Sequence, residues 1–136
     1  MRVVVIGAGA WGKNHIKTLN TLPVDIIGVY ELCVQTCKML TTEFEKVKIL
    51  DSIDDISAFD AVIITAPTHL HKKIASFVLE KNIPCLIEKP LAFTLSDAES
   101  LVNIANTKSF PITVGHIERF NPVFVELKRQ LGHEKR

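Results

Sequence analysis

Apolar residues along the chain alternate between short unbroken runs and longer stretches where they recur every three or four positions. Val3-Val4-Val5-Ile6 is β-branched throughout and reads as a buried strand ending in Gly7-Ala8-Gly9. Over 10–22 the spacing loosens to a helical one, which Pro23 stops. The same alternation predicts further strands over 24–30, 47–50, 61–65, 83–87 and 112–115, and helices over 32–44, 70–81, 94–106 and 122–131. Leu32, Thr36, Met39 and Leu40 fall on one side of the second helix, and Leu70, Ile74, Phe77 and Val78 stripe the third. Asn82 is its expected stop. Ser96, with Glu99 three positions on, has the spacing of a capping box for the fourth. Pro122 suits the first turn of the last, where its missing N–H costs nothing. The segment 51–57 is polar apart from Ile53 and Ile56 and reads as a connection.

Strands that are apolar throughout and alternate with helices imply an α/β fold, a doubly wound parallel sheet of about six strands covered on both faces. No repeat or low-complexity linker interrupts it, so the chain reads as a single domain. We expect a dinucleotide-binding unit over 1–120 and a C-terminal helical segment over 121–136. The 136 residues are 47% apolar and 23% charged, which excludes wholesale disorder. Sixteen Lys and Arg against fifteen Asp and Glu give a net charge of +1, so no general attraction to nucleic acid or an anionic membrane is expected. No apolar run approaches the roughly 20 residues needed to span a bilayer. Met1-Arg2 leads straight into the first strand without a leader-like segment, and the expected location is the cytoplasm. Cys33, Cys37 and Cys85 are odd in number and form no CxxC, which suits a reducing compartment and leaves no zinc set.

Gly7-Ala8-Gly9-Ala10-Trp11-Gly12 fits GxGxxG directly between a predicted strand and a predicted helix. In that setting Gly7 makes the tight turn, Gly9 admits a pyrophosphate to the backbone, and Gly12 lets the helix pack close to the strand. The helix N-terminus then faces the phosphates. The rival reading, a P-loop from Gly7 to Lys13, fails at Asn14, where Ser or Thr is needed to hold magnesium. Glu31 ends the second strand 19 residues after Gly12, where a dinucleotide site keeps a carboxylate for the adenosine ribose. Its charge would repel a 2′-phosphate, and no Arg or Lys follows at once, so NAD is expected over NADP.

Three further strand ends carry unusual residues: Thr65-Ala66-Pro67-Thr68-His69-Leu70-His71, Glu88-Lys89-Pro90, and His116 through Pro122. With the glycine turn, these make the sequence resemble the N-terminal half of the Gfo/Idh/MocA oxidoreductases, named for glucose-fructose oxidoreductase and inositol dehydrogenase. Glu88-Lys89-Pro90 is the most distinctive carrier. The run from Val114 to Pro122 is similar to the sugar-nucleotide branch. The resemblance implies a Rossmann-type domain that binds NAD or NADP and moves a hydride to or from a carbinol carbon of a sugar, polyol or sugar nucleotide. It implies that Glu88 lies by the nicotinamide ribose and that Lys89 reaches both cofactor and reacting hydroxyl as the catalytic residue. It also implies that Thr65, Pro67 and His71 run along the cofactor. The resemblance implies that family members continue into a C-terminal substrate domain, which is not expected within these 136 residues.

The cofactor-binding set is therefore Gly7, Gly9, Ala10, Trp11, Gly12, Glu31, Thr65, Pro67, His71, Glu88 and Lys89. The substrate set is Lys89, His116 and Arg119. His15, His69 and His133 are expected on the helix surface or in solvent, and Asn121 as a helix cap. The partners expected are a sugar or polyol, with a second copy or a separate substrate-domain chain as protein partner. A stand-alone, non-catalytic NAD-binding module is the alternative function, and catalysis by the chain alone is not expected.

Overall fold

The computed structural model describes residues 1–108 and 110–131. Six parallel strands form one sheet: β1 (Arg2–Ile6), β2 (Ile26–Tyr30), β3 (Val47–Ile49), β4 (Ala61–Ile64), β5 (Cys85–Ile87) and β6 (Ile112–Val114). Between and after them lie α1 (Ala10–Thr21), α2 (Val34–Glu43), α3 (Thr68–Glu80), α4 (Leu95–Lys108) and α5 (Pro122–Leu131). The strand order is β3-β2-β1-β4-β5-β6, so the winding reverses between β1 and β4. The expected doubly wound sheet is thus present. Ligands of such sheets sit beyond the carboxyl ends of the strands at that reversal.

β1 is the wall between two cores. Val3 and Val5 pack on one face with Ile16, Leu19, Ile27 and Leu40, while Val4 and Ile6 pack on the other with Ile64, Val78, Ile87 and Leu101. Burial on both faces is why its sequence is a continuous β-branched run.

The helices differ more from expectation. In α2 only Leu40 is buried and Met39 stands in solvent; Leu32, expected inside the helix, lies before its first residue Val34 and is exposed. In α3 the buried positions are His71, Ala75, Val78 and Leu79, and Leu70 of the expected stripe faces out. Asn82 ends that helix with φ +59°, the left-handed geometry an asparagine tolerates. α4 is capped by Thr94 rather than Ser96: the Asp97 N–H donates to Thr94 Oγ1 at 3.1 Å. Ser96 falls inside the first turn, so its expected box with Glu99 does not form. The polar 51–57 segment is no plain connection: Ile53–Ala58 forms a 3-10 helix closed by a reciprocal box between Ser52 and Asp55. A second 3-10 turn, Ile117–Phe120, leads into α5, where Asn121 Oδ1 accepts the Val123 N–H at 3.0 Å as the expected cap. Among the described residues α5 buries no side chain. No described helix is long and apolar enough to cross a membrane. His133 lies outside the described residues.

Candidate cofactor and substrate site

The turn after β1 is shaped by two glycines. Gly7 has φ +91°, and a Cβ there would lie 3.0 Å from the Ala66 backbone nitrogen. A side chain is excluded both by backbone geometry and by the neighbouring strand end. A Cβ on Gly12 would collide with the Gly7 carbonyl oxygen and come within 2.9 Å of Thr65 Oγ1. Gly12 therefore sets how closely α1 approaches the β1 and β4 ends. The Thr65 hydroxyl locks the turn by donating to the Gly7 carbonyl at 2.5 Å. Gly9 differs: a Cβ there would meet nothing within 4 Å, because Gly9 faces open space at the mouth of α1.

That mouth suits an anion. Gly9 caps α1 without a side-chain bond, and the first turn carries no acidic residue. The first intrahelical bond runs from Lys13 N–H to Gly9 O at 3.0 Å. The N–H groups of Ala10, Trp11 and Gly12 precede it and have no partner within the helix. Such a helix start, with its partial positive charge, binds phosphate.

Glu31 closes the next side. Its Oε2 accepts the Ala8 N–H at 2.7 Å and its Oε1 accepts the Cys33 N–H at 2.9 Å. Burial alone would push this carboxyl up. The backbone N–H groups of Cys33, Ala8 and Leu32, with the Lys13 ammonium, outweigh burial and hold it below the usual carboxylate range. Glu31 is thus a fixed anion.

A cavity of about 500 Å³ gathers Gly7, Gly9 and Trp11 from the first turn and Glu31 from the β2 end. It also gathers Thr65, Pro67 and His71 from the β4 end and α3, and Glu88 and Lys89 from the β5 end. Of the expected cofactor set, Ala10 and Gly12 do not line it: Ala10 is exposed and Gly12 is buried. His71 is nearly fully buried, 1% exposed. Its Nδ1 faces the Pro90 carbonyl at 3.0 Å and its Nε2 the Ala66 carbonyl at 2.8 Å. Both ring nitrogens face backbone carbonyls, so His71 ties the β4 and β5 loops together at the edge of the cavity it lines. His69 is exposed as expected.

His15 departs from expectation most. It is not a solvated surface residue: its Nε2 lies 2.8 Å from Glu88 Oε1, with the ring 21% exposed and Glu88 8%. The second Glu88 oxygen accepts the Lys89 N–H at 3.2 Å. No sequence signal links positions 73 residues apart.

A second cavity, about 690 Å³, is lined by Trp11, Lys89, His116 and Arg119, with Phe124 of α5 on its far side. Trp11 and Lys89 line both cavities. The Lys89 ammonium stands 5.6 Å from the centre of the Trp11 ring, within cation–π range. Among the described residues no carboxylate pairs with Lys89. No group of three or more His, Cys, Asp or Glu side chains among them could hold a metal ion.

Residues 1–116 match the family model described as an oxidoreductase family with an NAD-binding Rossmann fold. The chain belongs to the Gfo/Idh/MocA oxidoreductase family. It carries that family's NAD-binding domain, and the cradle built on Gly7, Gly9 and Glu31 fits NAD. Among curated Gfo/Idh/MocA relatives, UDP-N-acetylglucosamine 3-dehydrogenase of Acidithiobacillus ferrooxidans is 29% identical over 133 residues, 97% of this chain and 42% of the relative. Inositol 2-dehydrogenase 1 of Saccharopolyspora erythraea is 31% identical over 139 residues, 96% and 41% respectively. The solved Acidithiobacillus enzyme superposes with a TM-score of 0.86 at 30% identity, over 97% of this chain and 43% of that one. GenD2 from gentamicin A biosynthesis, solved in complex with NAD, superposes at 0.88 and 25% identity, over 96% of this chain and 38% of that one. The chain spans about two fifths of the length of these Gfo/Idh/MocA proteins.

Proposed function

We propose that this chain supplies the cofactor half of an NAD-dependent dehydrogenase acting on an alcohol of a sugar, polyol or sugar nucleotide. Lys89 is the catalytic residue, and His116 and Arg119 contact the substrate. One observation carries the reading: Trp11 and Lys89 line both the glycine-turn cavity and the cavity that holds His116 and Arg119. A cofactor in the first and an alcohol in the second would meet at Lys89.

The chemistry follows from the residues. NAD, when bound, supplies the acceptor for the substrate's hydride. Loss of hydride from an alcohol carbon leaves charge growing on oxygen. The Lys89 ammonium has no carboxylate partner among the described residues, so its charge is available to that oxygen, and its proton can be exchanged with the hydroxyl. Arg119 offers a planar fork for a carboxylate or phosphate, and His116 a hydrogen bond. Glu31 accepts the adenosine ribose hydroxyls, and the start of α1 takes the pyrophosphate. Glu88 stands by the nicotinamide ribose. The boundary we assign places the dinucleotide unit at 1–120, with the 121–136 segment leading to the protein that completes the substrate wall. That protein is a substrate domain or a second copy, docked on Phe120, Phe124 and Leu127, all exposed here. Three free thiols fit a cytoplasmic setting.

The test is a titration of the purified chain with NADH, then with a panel of hexoses, inositols and nucleoside-diphosphate sugars in its presence. One class should bind, and Arg119→Ala should weaken that class while NADH affinity stays within about threefold, whereas Lys89→Met, which touches both cavities, should weaken substrate and NADH alike. Absence of binding by every class, or equal binding by the variants, would remove the substrate assignment.

A further inference from the structure

Glu88 is a nearly buried carboxylate gripped from three sides. From α1, His15 directs Nε2 to Oε1 at 2.8 Å. From its own chain, the Lys89 N–H reaches Oε2 at 3.2 Å. From the end of β6, Gly115 presents bare backbone: a Cβ there would lie 3.0 Å from the carboxyl carbon and from both oxygens. Gly115 is itself fixed, its N–H donating to the Ile87 carbonyl at 2.8 Å. A carboxylate removed from water must keep its hydrogen-bond donors, and these two hold it in one orientation.

Lys89 follows Glu88 directly, and its amide is one of those two donors. The direction of the Glu88 carboxylate and that of the Lys89 backbone are therefore a single variable. His15 sets it from the far side, across a fold distance that the glycine at 115 leaves clear. We propose that His15 is a positioning residue for Lys89. Acting through Glu88, it fixes where the ammonium stands between the two cavities, and Gly115 is the space requirement of that device. The proposal deepens the functional reading above and rests on its placement of Lys89 at the reacting oxygen.

Trp11 is the only tryptophan of the chain and lies under the Lys89 ammonium, so its emission reports where that ammonium stands. The experiment compares Trp11 emission in the cofactor-free chain for wild type, Lys89→Met, His15→Ala, His15→Gln and Gly115→Ala, with melting temperature and NADH affinity for each. Lys89→Met gives the spectral change caused by losing the ammonium. His15→Ala should move the emission in the same direction and weaken NADH on the order of tenfold, the weight of a hydrogen bond to a charged group. His15→Gln keeps an N–H near the place of Nε2 and should restore both within about twofold. Gly115→Ala crowds the carboxylate carbon and both oxygens and should reproduce the His15→Ala spectrum. A His15→Ala protein that is folded and spectrally unchanged would overturn the proposal, as would a His15→Gln protein that matches His15→Ala. Should His15→Ala fail to fold, an unchanged spectrum in Gly115→Ala overturns it equally. These spectra are taken without cofactor, so failure of the wild type to bind NADH would count against the cofactor reading alone.

Discussion

The Glu31 carboxylate at the end of β2 accepts the Ala8 N–H of the glycine turn at 2.7 Å, across 23 residues of sequence. One side chain thus joins the glycine turn to the end of β2, the two places we propose for the pyrophosphate and the adenosine ribose. A carboxylate has about four lone-pair positions. Ala8 and Cys33 take one each, leaving acceptors for a pair of ribose hydroxyls.

Cofactor choice follows from that arrangement. NADH should bind more tightly than NADPH by about tenfold or more, since a bond to a charged group is worth roughly 1.5–3 kcal/mol and a 2′-phosphate would meet a fixed anion. Glu31→Gln should narrow the gap from both sides. Fluorescence titration of wild type and variant with both reduced cofactors measures it; equal affinities in the wild type would contradict the placement of Glu31.

The glycines of the turn should separate by experiment. Gly9→Val meets open space, so the fold should survive with an unchanged circular dichroism spectrum while NADH binding is lost. Gly12→Val drives atoms into the Gly7 carbonyl and should unfold or strongly destabilise the chain. A denaturation curve for each, beside an NADH titration, distinguishes lost binding from lost structure.

The pH dependence has a definite sign. The Glu31 carboxyl is held below its ordinary value of 4.5 by backbone N–H groups that outweigh burial. A group whose pKa is depressed by folding contributes stability that is complete above the unfolded value and disappears as pH falls through the folded one. The Glu31 contribution to stability, and its grip on ribose, should therefore be flat from pH 8 down to about 5. Both should fall only in stronger acid. Chemical denaturation midpoints of wild type and Glu31→Gln should differ by a constant amount down to about pH 5 and converge only in stronger acid.

The three thiols should react in order. Hydrogen bonding from the Thr36 side chain and backbone lowers the pKa of the exposed Cys33 thiol, whereas burial raises that of Cys37. Burial pushes the Cys85 thiol up to about 11. Thiolate is the nucleophile, so iodoacetamide at pH 8 should label Cys33 first, Cys37 slowly, and Cys85 only on unfolding. Peptide mass mapping over time gives the order.

The strands were legible because parallel strands buried on two faces need continuous apolar runs, and Val3–Ile6 or Ala61–Ile64 can be nothing else at that length. The glycine turn and Glu31 were legible because their chemistry is local and their spacing is set by one strand–helix–strand unit. Helix faces were less so. Leu32 lies before the first turn of α2, and of Met39 and Leu40 only Leu40 reaches the core, since adjacent helical positions point about 100° apart. His15 was misjudged because it is polar and lies on a helix, where exposure is the usual outcome, and it is drawn inward by a partner brought near only by the fold.

The reversal of winding between β1 and β4 makes this site a property of the finished sheet. Gly7, Glu31, Thr65 and Glu88 follow four different strands: the first crossover brings Gly7 and Glu31 together, but all four meet only once β5 has joined the sheet. Partly folded chains then present no cradle, so NAD can bind only the native state. Mass action makes the cofactor a conformational ratchet: at a hundred times its dissociation constant it adds about 2.7 kcal/mol to the native side. Bound NAD would thereby raise the share of the chain that is folded as well as the share that is loaded.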